Sequence, residues 1–343
     1  MQILKSPIPS MTIWRLLQYS FLCLIIFLLV AGAGFYFYVT APMSADVLPI
    51  RFEVPKGAGV AAVSKQLVAK NILPEPYGFI GLALWSGKAK TIKAGFYEIP
   101  QGQSMWVLLK RLEAGDILYT QVTFIEGSRF NDALLRLQAN PDLKPLLADE
   151  EELKKKLGVK DVEGSIFPDT YRAPVGGQAL EVLQMARQKM IKVLGKAWEN
   201  RDPDTPWQSA DEALVAASII EKETALPSER ALVASVIINR LKIGMPLAMD
   251  PTVIYGLGDA FDGNLKKQHL NADQPYNTYK RLGLPPGPIC LPSKSAIEAA
   301  LHPEKTNWLY FVVDGKGSHV FSQSYEAHQR RVREMLQRQK ELK

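Results

Sequence analysis

A carboxylate stands on an otherwise apolar face of a helix. From Asp211 to about Thr224 the period of 3.6 puts Leu214 and Ala217 on one stripe. Glu221 falls on that stripe, seven residues after the first and four after the second. Burial disfavours the charged form of a carboxyl, and a carboxyl that keeps its proton near neutral pH is what a general acid requires. The competing reading is a structural glutamate paired with a buried arginine, for which Arg240 is the candidate. Glu223 is two positions on, and residues two apart face different sides of a helix, so the two glutamates are not expected to form a facing pair. A chemistry that needs two carboxylates would have to recruit Asp250 or another loop acid. Asp250 precedes Pro251 and serves equally as a turn starter.

The elements that must position these residues follow from local signals. A second helix is expected from Ser228 to Ile243, separated from the first by Pro227 and stopped by Gly244. The chain is then rich in Gly, Pro, Asn and Asp as far as Leu291. A helix from Ser293 to Leu301 and a strand from Trp308 to Val313 come next. Long loops after paired helices are common places for sites. Tyr255, Asn277 and Tyr279 in those loops are candidates to stack on or hydrogen-bond a substrate, and Asn239 and Arg240 on the second helix are candidates to orient Glu221 or touch the substrate. Scaffold roles fit each of them equally.

The first half reuses one pattern three times: Phe52-Glu53-Val54-Pro55-Lys56-Gly57, Tyr97-Glu98-Ile99-Pro100-Gln101-Gly102 and Val122-Thr123-Phe124-Ile125-Glu126-Gly127. Each reads as a strand ending at a glycine turn. An amphipathic helix follows, reaching Leu67, Leu112 and Leu137 respectively. The irregular spacing excludes a solenoid and favours a small mixed module over about residues 50 to 120. Such a strand–turn–helix unit is similar to LysM, a βααβ fold that recognises N-acetylglucosamine polymers; a bare spacer is the alternative. Trp85 and Trp106 lie within apolar helical runs and are expected in the core. The charged stretch from Asp142 to Asp161 and the basic C-terminal run read as solvated helix faces.

At 343 residues with a formal charge of +6 the chain has room for two domains. No charged side chain occurs between Arg15 and Asp46, and the apolar run continues past Ala31-Gly32-Ala33 through Phe35, Tyr36, Phe37 and Tyr38. A retained membrane span over 19–40 is favoured over a cleaved signal peptide. Lys5 and Arg15 place residues 1–18 in the cytoplasm and the remainder outside, in the periplasm. An exported domain makes nucleic acid an improbable partner despite the positive charge. Cys23 lies in the span and Cys290 far from it, so no disulfide is expected within one molecule. The histidines are scattered without metal-ligand spacing, and no phosphate loop, nucleophile elbow or dinucleotide fingerprint occurs, so neither a metal nor a cofactor is expected.

Ala216-Ala217-Ser218-Ile219-Ile220-Glu221-Lys222-Glu223-Thr224, followed by Val236-Ile237-Ile238-Asn239-Arg240-Leu241, resembles the endolytic murein transglycosylases of the YceG-like family. Asp250-Pro251-Thr252-Val253-Ile254-Tyr255-Gly256, Tyr276-Asn277-Thr278-Tyr279, Gly283-Leu284-Pro285-Pro286-Gly287-Pro288-Ile289 and His302-Pro303 continue the likeness in the family's order. The resemblance covers nearly the whole chain. It implies an α+β protein of the inner membrane with a single N-terminal transmembrane helix, a LysM-like subdomain over 41–120 and a larger catalytic domain over 121–343. It puts Glu221 at the catalytic position and implies a lyase that cuts peptidoglycan glycan strands between N-acetylmuramic acid and N-acetylglucosamine, leaving a 1,6-anhydro end. Peptidoglycan synthases are the implied partners, and ending glycan polymerisation is the implied role. A non-catalytic wall-binding adaptor and a water-using muramidase are the alternatives. Two places depart from the family's pattern: Leu247-Ala248-Met249, where polar residues are usual before the aspartate, and Cys290-Leu291-Pro292-Ser293, to which no role carries over.

Overall fold

A computed structural model describes residues 10–43, 49–315 and 317–341 of the protein. Lys5, Asp46 and Lys343 lie outside the described residues. The chain divides into two compact units, Met1–Tyr119 with Pro174–Gly176, and Thr120–Ala173 with Gly177–Lys343.

The first unit begins with α1 (Ser10–Thr40), whose 31 residues bear no acidic group in the first turn and no basic group in the last. A helix of that length extends for about 46 Å, more than the roughly 30 Å of a bilayer's hydrocarbon core. Next come β1 (Ile50–Val54), α2 (Val60–Ala69), α3 (Tyr77–Trp85), β2 (Gly95–Ile99) and α4 (Met105–Ala114). The two strands pair antiparallel, from Ile50 opposite Ile99 to Val54 opposite Gly95. Their period of two turns Phe52, Val54, Tyr97 and Ile99 inward, where the Phe52 and Tyr97 rings stack at 5.8 Å. Leu67, Phe79, Leu82, Leu108 and Leu112 close this core from the helices. Val39 of α1 is in it too, only 3% exposed, and Met43 donates its N–H to the Gln103 carbonyl at 2.9 Å. The helix therefore runs into the module without a free tether. Trp85 departs from the core position expected of it and is 75% exposed.

Apart from the end residues Tyr119 and Pro174, which belong to the first unit, the second unit contains β3 (Tyr119–Thr123), α5 (Phe130–Gln138), α6 (Glu150–Leu157), β4 (Thr170–Pro174), α7 (Ala179–Glu199), α8 (Ala210–Glu223), α9 (Pro227–Lys242), α10 (Asp250–Leu257), α11 (Lys267–Asn271), α12 (Lys294–Leu301), β5 (Tyr310–Val313), β6 (His319–Ser322) and α13 (Tyr325–Glu341). All three glycine turns of the repeated pattern take left-handed backbone, with φ of +79° at Gly57, +74° at Gly102 and +72° at Gly127, which is why glycine closes each strand. The central helix is α8, buried at every residue from Ala213 to Ile220. A helix covered on all sides needs neighbours that come close; α8 packs on α12, and the small residues Ala216 and Ala217 share a core with Ala296, Ala299 and Ala300 of that helix. Ser209 caps α8 by accepting from the Glu212 N–H at 3.2 Å, and Pro227 opens α9 at its first turn, where a missing N–H costs nothing.

Candidate active site

Glu221 lies in the last turn of α8 with its side chain only 7% exposed. Its Oε1 accepts from the Arg230 guanidinium at 3.0 Å, and its Oε2 accepts from both the N–H of Ser293 at 3.0 Å and the Ser293 hydroxyl at 2.5 Å. The arginine opposite Glu221 is thus Arg230 of α9, not Arg240. Arg230 is itself nearly sealed, 8% exposed at the side chain, and also donates to the hydroxyls of Ser293 and Ser295. Ser293 caps α12, accepting from the Ala296 N–H at 3.2 Å. One hydroxyl therefore starts a helix and fixes the carboxylate.

The stem of Glu221 is backed by the third glycine turn. A Cβ placed on Gly127 would stand 3.6 Å from the Glu221 Cγ, and Lys222 donates its ammonium to the Gly127 carbonyl at 3.2 Å. The same turn is laced to the segment that ends in Ser293, by Gly127 N–H to the Leu291 carbonyl and Leu291 N–H to the Ser128 carbonyl, both 2.8 Å. Above it, the Ile289 N–H reaches the buried Ser218 hydroxyl at 3.0 Å.

The other sequence candidates fall into distinct places. Asn277 is fully buried; its amide nitrogen donates to the carbonyls of His269, Leu270 and Ala272, and its Oδ1 accepts from the Tyr279 N–H. Asn239 donates to the carbonyls of Thr306 and Trp308, and Arg240 to those of Leu309 and Leu247. These three side chains have their donors on backbone and hold loops and the approach to β5. Tyr279 donates to Asp250 at 2.6 Å. The charge of Asp250 acts on Glu223, whose carboxyl is pushed up to about 8, by burial first and Asp250 second, with Arg240 opposing. Glu221 and Glu223 thus face different surroundings, as their spacing in the helix requires.

Tyr255 belongs to a third group. Its ring lies 4.7 Å from that of Tyr276 and under the Arg129 guanidinium at 5.1 Å. Glu163 sits close by, 7% exposed, accepting from the N–H groups of Phe130 at 3.0 Å and Gly164 at 3.3 Å. Burial pushes its carboxyl up to about 7 against the pull of those two N–H groups. Glu163 and Tyr255 line a cavity of ≈300 Å³ with Asp161, Phe130 and Leu134. A larger cavity, ≈1010 Å³, is walled instead by Lys189, Lys192, Lys196 and Lys294 and has neither glutamate of α8 in its lining. Size alone does not locate the chemistry here.

Arg230, Ser293 and Gly127 are site residues that sequence spacing does not mark. For Ser293 a partial signal was present, since Ser before a helix is a cap, but nothing in the spacing tells that the same hydroxyl has a second partner.

Residues 52–334 match the YceG-like family. An endolytic murein transglycosylase of Bacillus subtilis (strain 168) is 32% identical over 300 residues, 81% of this chain and 82% of that protein. One from Streptococcus pneumoniae serotype 2 is 27% identical over 354 aligned positions, which cover 90% of this chain and 64% of the longer relative. A crystal structure of a YceG-like protein from Listeria monocytogenes is similar with a TM-score of 0.54 and 28% identity, covering 82% of this chain and 98% of that one. The chain belongs to the YceG-like family.

Proposed function

We propose that the chain is an endolytic murein transglycosylase, a lyase that cuts the β-1,4 bond from N-acetylmuramic acid to N-acetylglucosamine within peptidoglycan strands and leaves a 1,6-anhydro ring, with Glu221 as its acid and base. The observation that carries the reading is the seat of Glu221, a nearly buried carboxylate gripped by Arg230 and Ser293 in the last turn of the central helix. Relatives aligned along most of the chain carry that enzyme's name.

A carboxylate offers about four lone-pair positions. Arg230 occupies one on Oε1, and Ser293 occupies two on Oε2. The remaining position on Oε1 is where a proton is exchanged with the sugar. Protonated there, Glu221 gives its proton to the glycosidic oxygen as the bond from that oxygen to the muramic acid C1 breaks. The carboxylate then takes the proton of the 6-hydroxyl while O6 bonds to C1. The proton count returns to its start, no water is consumed, and no second catalytic carboxylate is needed. Attack from within the same sugar gains its effective molarity from orientation.

The apolar helix α1 anchors the chain through residues 19–40, with residues 1–18 in the cytoplasm and those after 40 in the periplasm. The β1–α2–α3–β2 order with antiparallel strands supports reading 41–120 as LysM-like. An anchored cutter reaches strands near their place of synthesis, which fits a role in ending glycan polymerisation beside peptidoglycan synthases.

The test is mass spectrometry of muropeptides released from uncross-linked glycan by the full-length chain and by Glu221→Gln. Anhydro ends are expected from the first and none from the second. Hydrated ends, heavier by one water, would mean a muramidase, and absence of products from both would mean a wall-binding adaptor.

A further inference from the structure

Helix α3 has two apolar sides but only one core. Its nine residues carry no charge; Phe79, Leu82 and Ala83 are sealed in the module, while Tyr77, Leu84 and Trp85 are 78%, 64% and 75% exposed. A helix apolar all round belongs in surroundings that cover it all round. Trp106 of α4 extends the patch, its ring 6.5 Å from that of Trp85, with the Lys110 ammonium 5.1 Å from the Trp106 ring.

The patch is continuous with α1, and its depth along that helix can be read. At one end Tyr38 donates to Glu75 at 2.7 Å, and Glu75 caps α3 through the N–H groups of Tyr77 and Gly78. At the other end Trp85 meets Phe35 edge-on at 6.5 Å. From Tyr38 to Phe35 is about 4.5 Å back along α1, and Phe35 lies about 7.5 Å inside the helix end at Thr40, at 1.5 Å per residue. So α3 slopes toward the middle of α1, with Trp85 deepest.

The geometry points to a second membrane contact: the exposed side of α3 lies in the boundary between headgroups and acyl chains of the leaflet from which α1 emerges. The inference rests on α1 spanning the bilayer, as proposed above. A face that starts on a spanning helix and slopes back along it meets lipid before it meets any soluble partner. Its composition suits that layer: Tyr and Trp are enriched at membrane interfaces, interfacial helices sink about 5–10 Å, and a lysine over an indole keeps its charge among phosphates. The module then rides on the bilayer through two contacts and its height above the membrane is set.

The experiment uses the full-length chain with Cys23→Ser, reconstituted in nanodiscs of phosphatidylethanolamine and phosphatidylglycerol; Cys290 is buried and stays. A nitroxide is attached in turn at Ile26→Cys, Leu84→Cys and Gln101→Cys, and its collisions with oxygen and with a water-soluble nickel chelate are compared. The labels at 26 and 84 are expected to favour oxygen, with nickel access several-fold below that at 101. A label at 84 as open to nickel as the one at 101, while 26 remains in lipid, overturns the inference and leaves the anchor standing. Nickel access at 26 overturns both. Spin–spin broadening at 84 that grows with the protein-to-lipid ratio would assign the face to a second copy and overturn the lipid assignment.

Discussion

Among the described residues Ser293 makes two of the three hydrogen bonds that hold the Glu221 carboxylate, and one of them comes from a side chain that can be removed. Replacing it by Ala keeps the backbone N–H and loses the hydroxyl. A hydrogen bond to a charged group contributes about 1.5 kcal/mol or more, so Ser293→Ala is expected to slow release of anhydro-muropeptides roughly tenfold. The lost helix cap costs about 1 kcal/mol of stability on its own. Rate and urea midpoint measured together separate the two effects, and an unchanged rate at lowered stability would make Ser293 a cap alone. Glu223 carries a pH prediction instead. Its folded value of about 8 lies above the ordinary 4.5, so below about 4.5 the carboxyl is neutral folded or unfolded and costs nothing. As pH rises from there to 8 the unfolded chain releases a proton that the folded chain holds, and stability falls through that window. Glu223→Gln is expected to flatten the decline, read as a smaller loss of melting temperature between pH 5 and 8 than in the wild type, with all other groups common to both. Equal slopes would show that Glu223 titrates freely in the folded protein.

At the scale of elements, much of the second unit is legible in the sequence. The expected helices Asp211–Thr224, Ser228–Ile243 and Ser293–Leu301 fold as Ala210–Glu223, Pro227–Lys242 and Lys294–Leu301, because their caps and stops are local chemistry: Ser209, Pro227, Gly244 and Ser293. Helical periodicity puts Glu221 on the stripe of Leu214 and Ala217 but tells neither that α8 is covered on every side nor by which neighbours. The Arg230 and Ser293 partners come to Glu221 from 9 and 72 residues away, and so lay beyond that signal. Gly127 was legible as a turn, and its place behind Glu221 was not. Trp85 failed for a related reason, since an apolar run does not say whether protein covers its second side. The polar candidates on α9 can be tested as scaffold. Asn239→Ala takes the amide donor from the Thr306 and Trp308 carbonyls, and the expected result is a loss of about 1–3 kcal/mol with the anhydro product unchanged. A substrate contact would instead raise KM at unchanged stability. Ala248, in the segment that departs from the family's pattern, is held at φ +47°, which disfavours any residue with a Cβ. Ala248→Gly is expected to raise the urea midpoint, by the equivalent of about 0.5–1 kcal/mol after the entropy that glycine adds to the unfolded chain.

At the scale of the molecule, the long apolar helix α1 and the module behind it act as one body. Val39 is 3% exposed inside the module core, Tyr38 is bonded to Glu75, and the backbone at Met43 is tied to Gln103. A chain starting at residue 41 removes the first two of these, whereas one starting at 34 keeps them and loses most of the apolar helix. Burying a valine side chain contributes about 1.5–3 kcal/mol, which is a large share of the stability of a unit this small. The shorter chain is therefore expected to open first in the module. Hydrogen exchange followed by mass spectrometry should show faster exchange across β1 and β2 in 41–343 than in 34–343, with α8 and α12 exchanging alike in both. Equal exchange over the strands would make α1 a tether that the module does not need. The expected difference would mean that α1 belongs to the folding core of the module, so that any truncation meant only to remove α1 also loosens the domain that follows it.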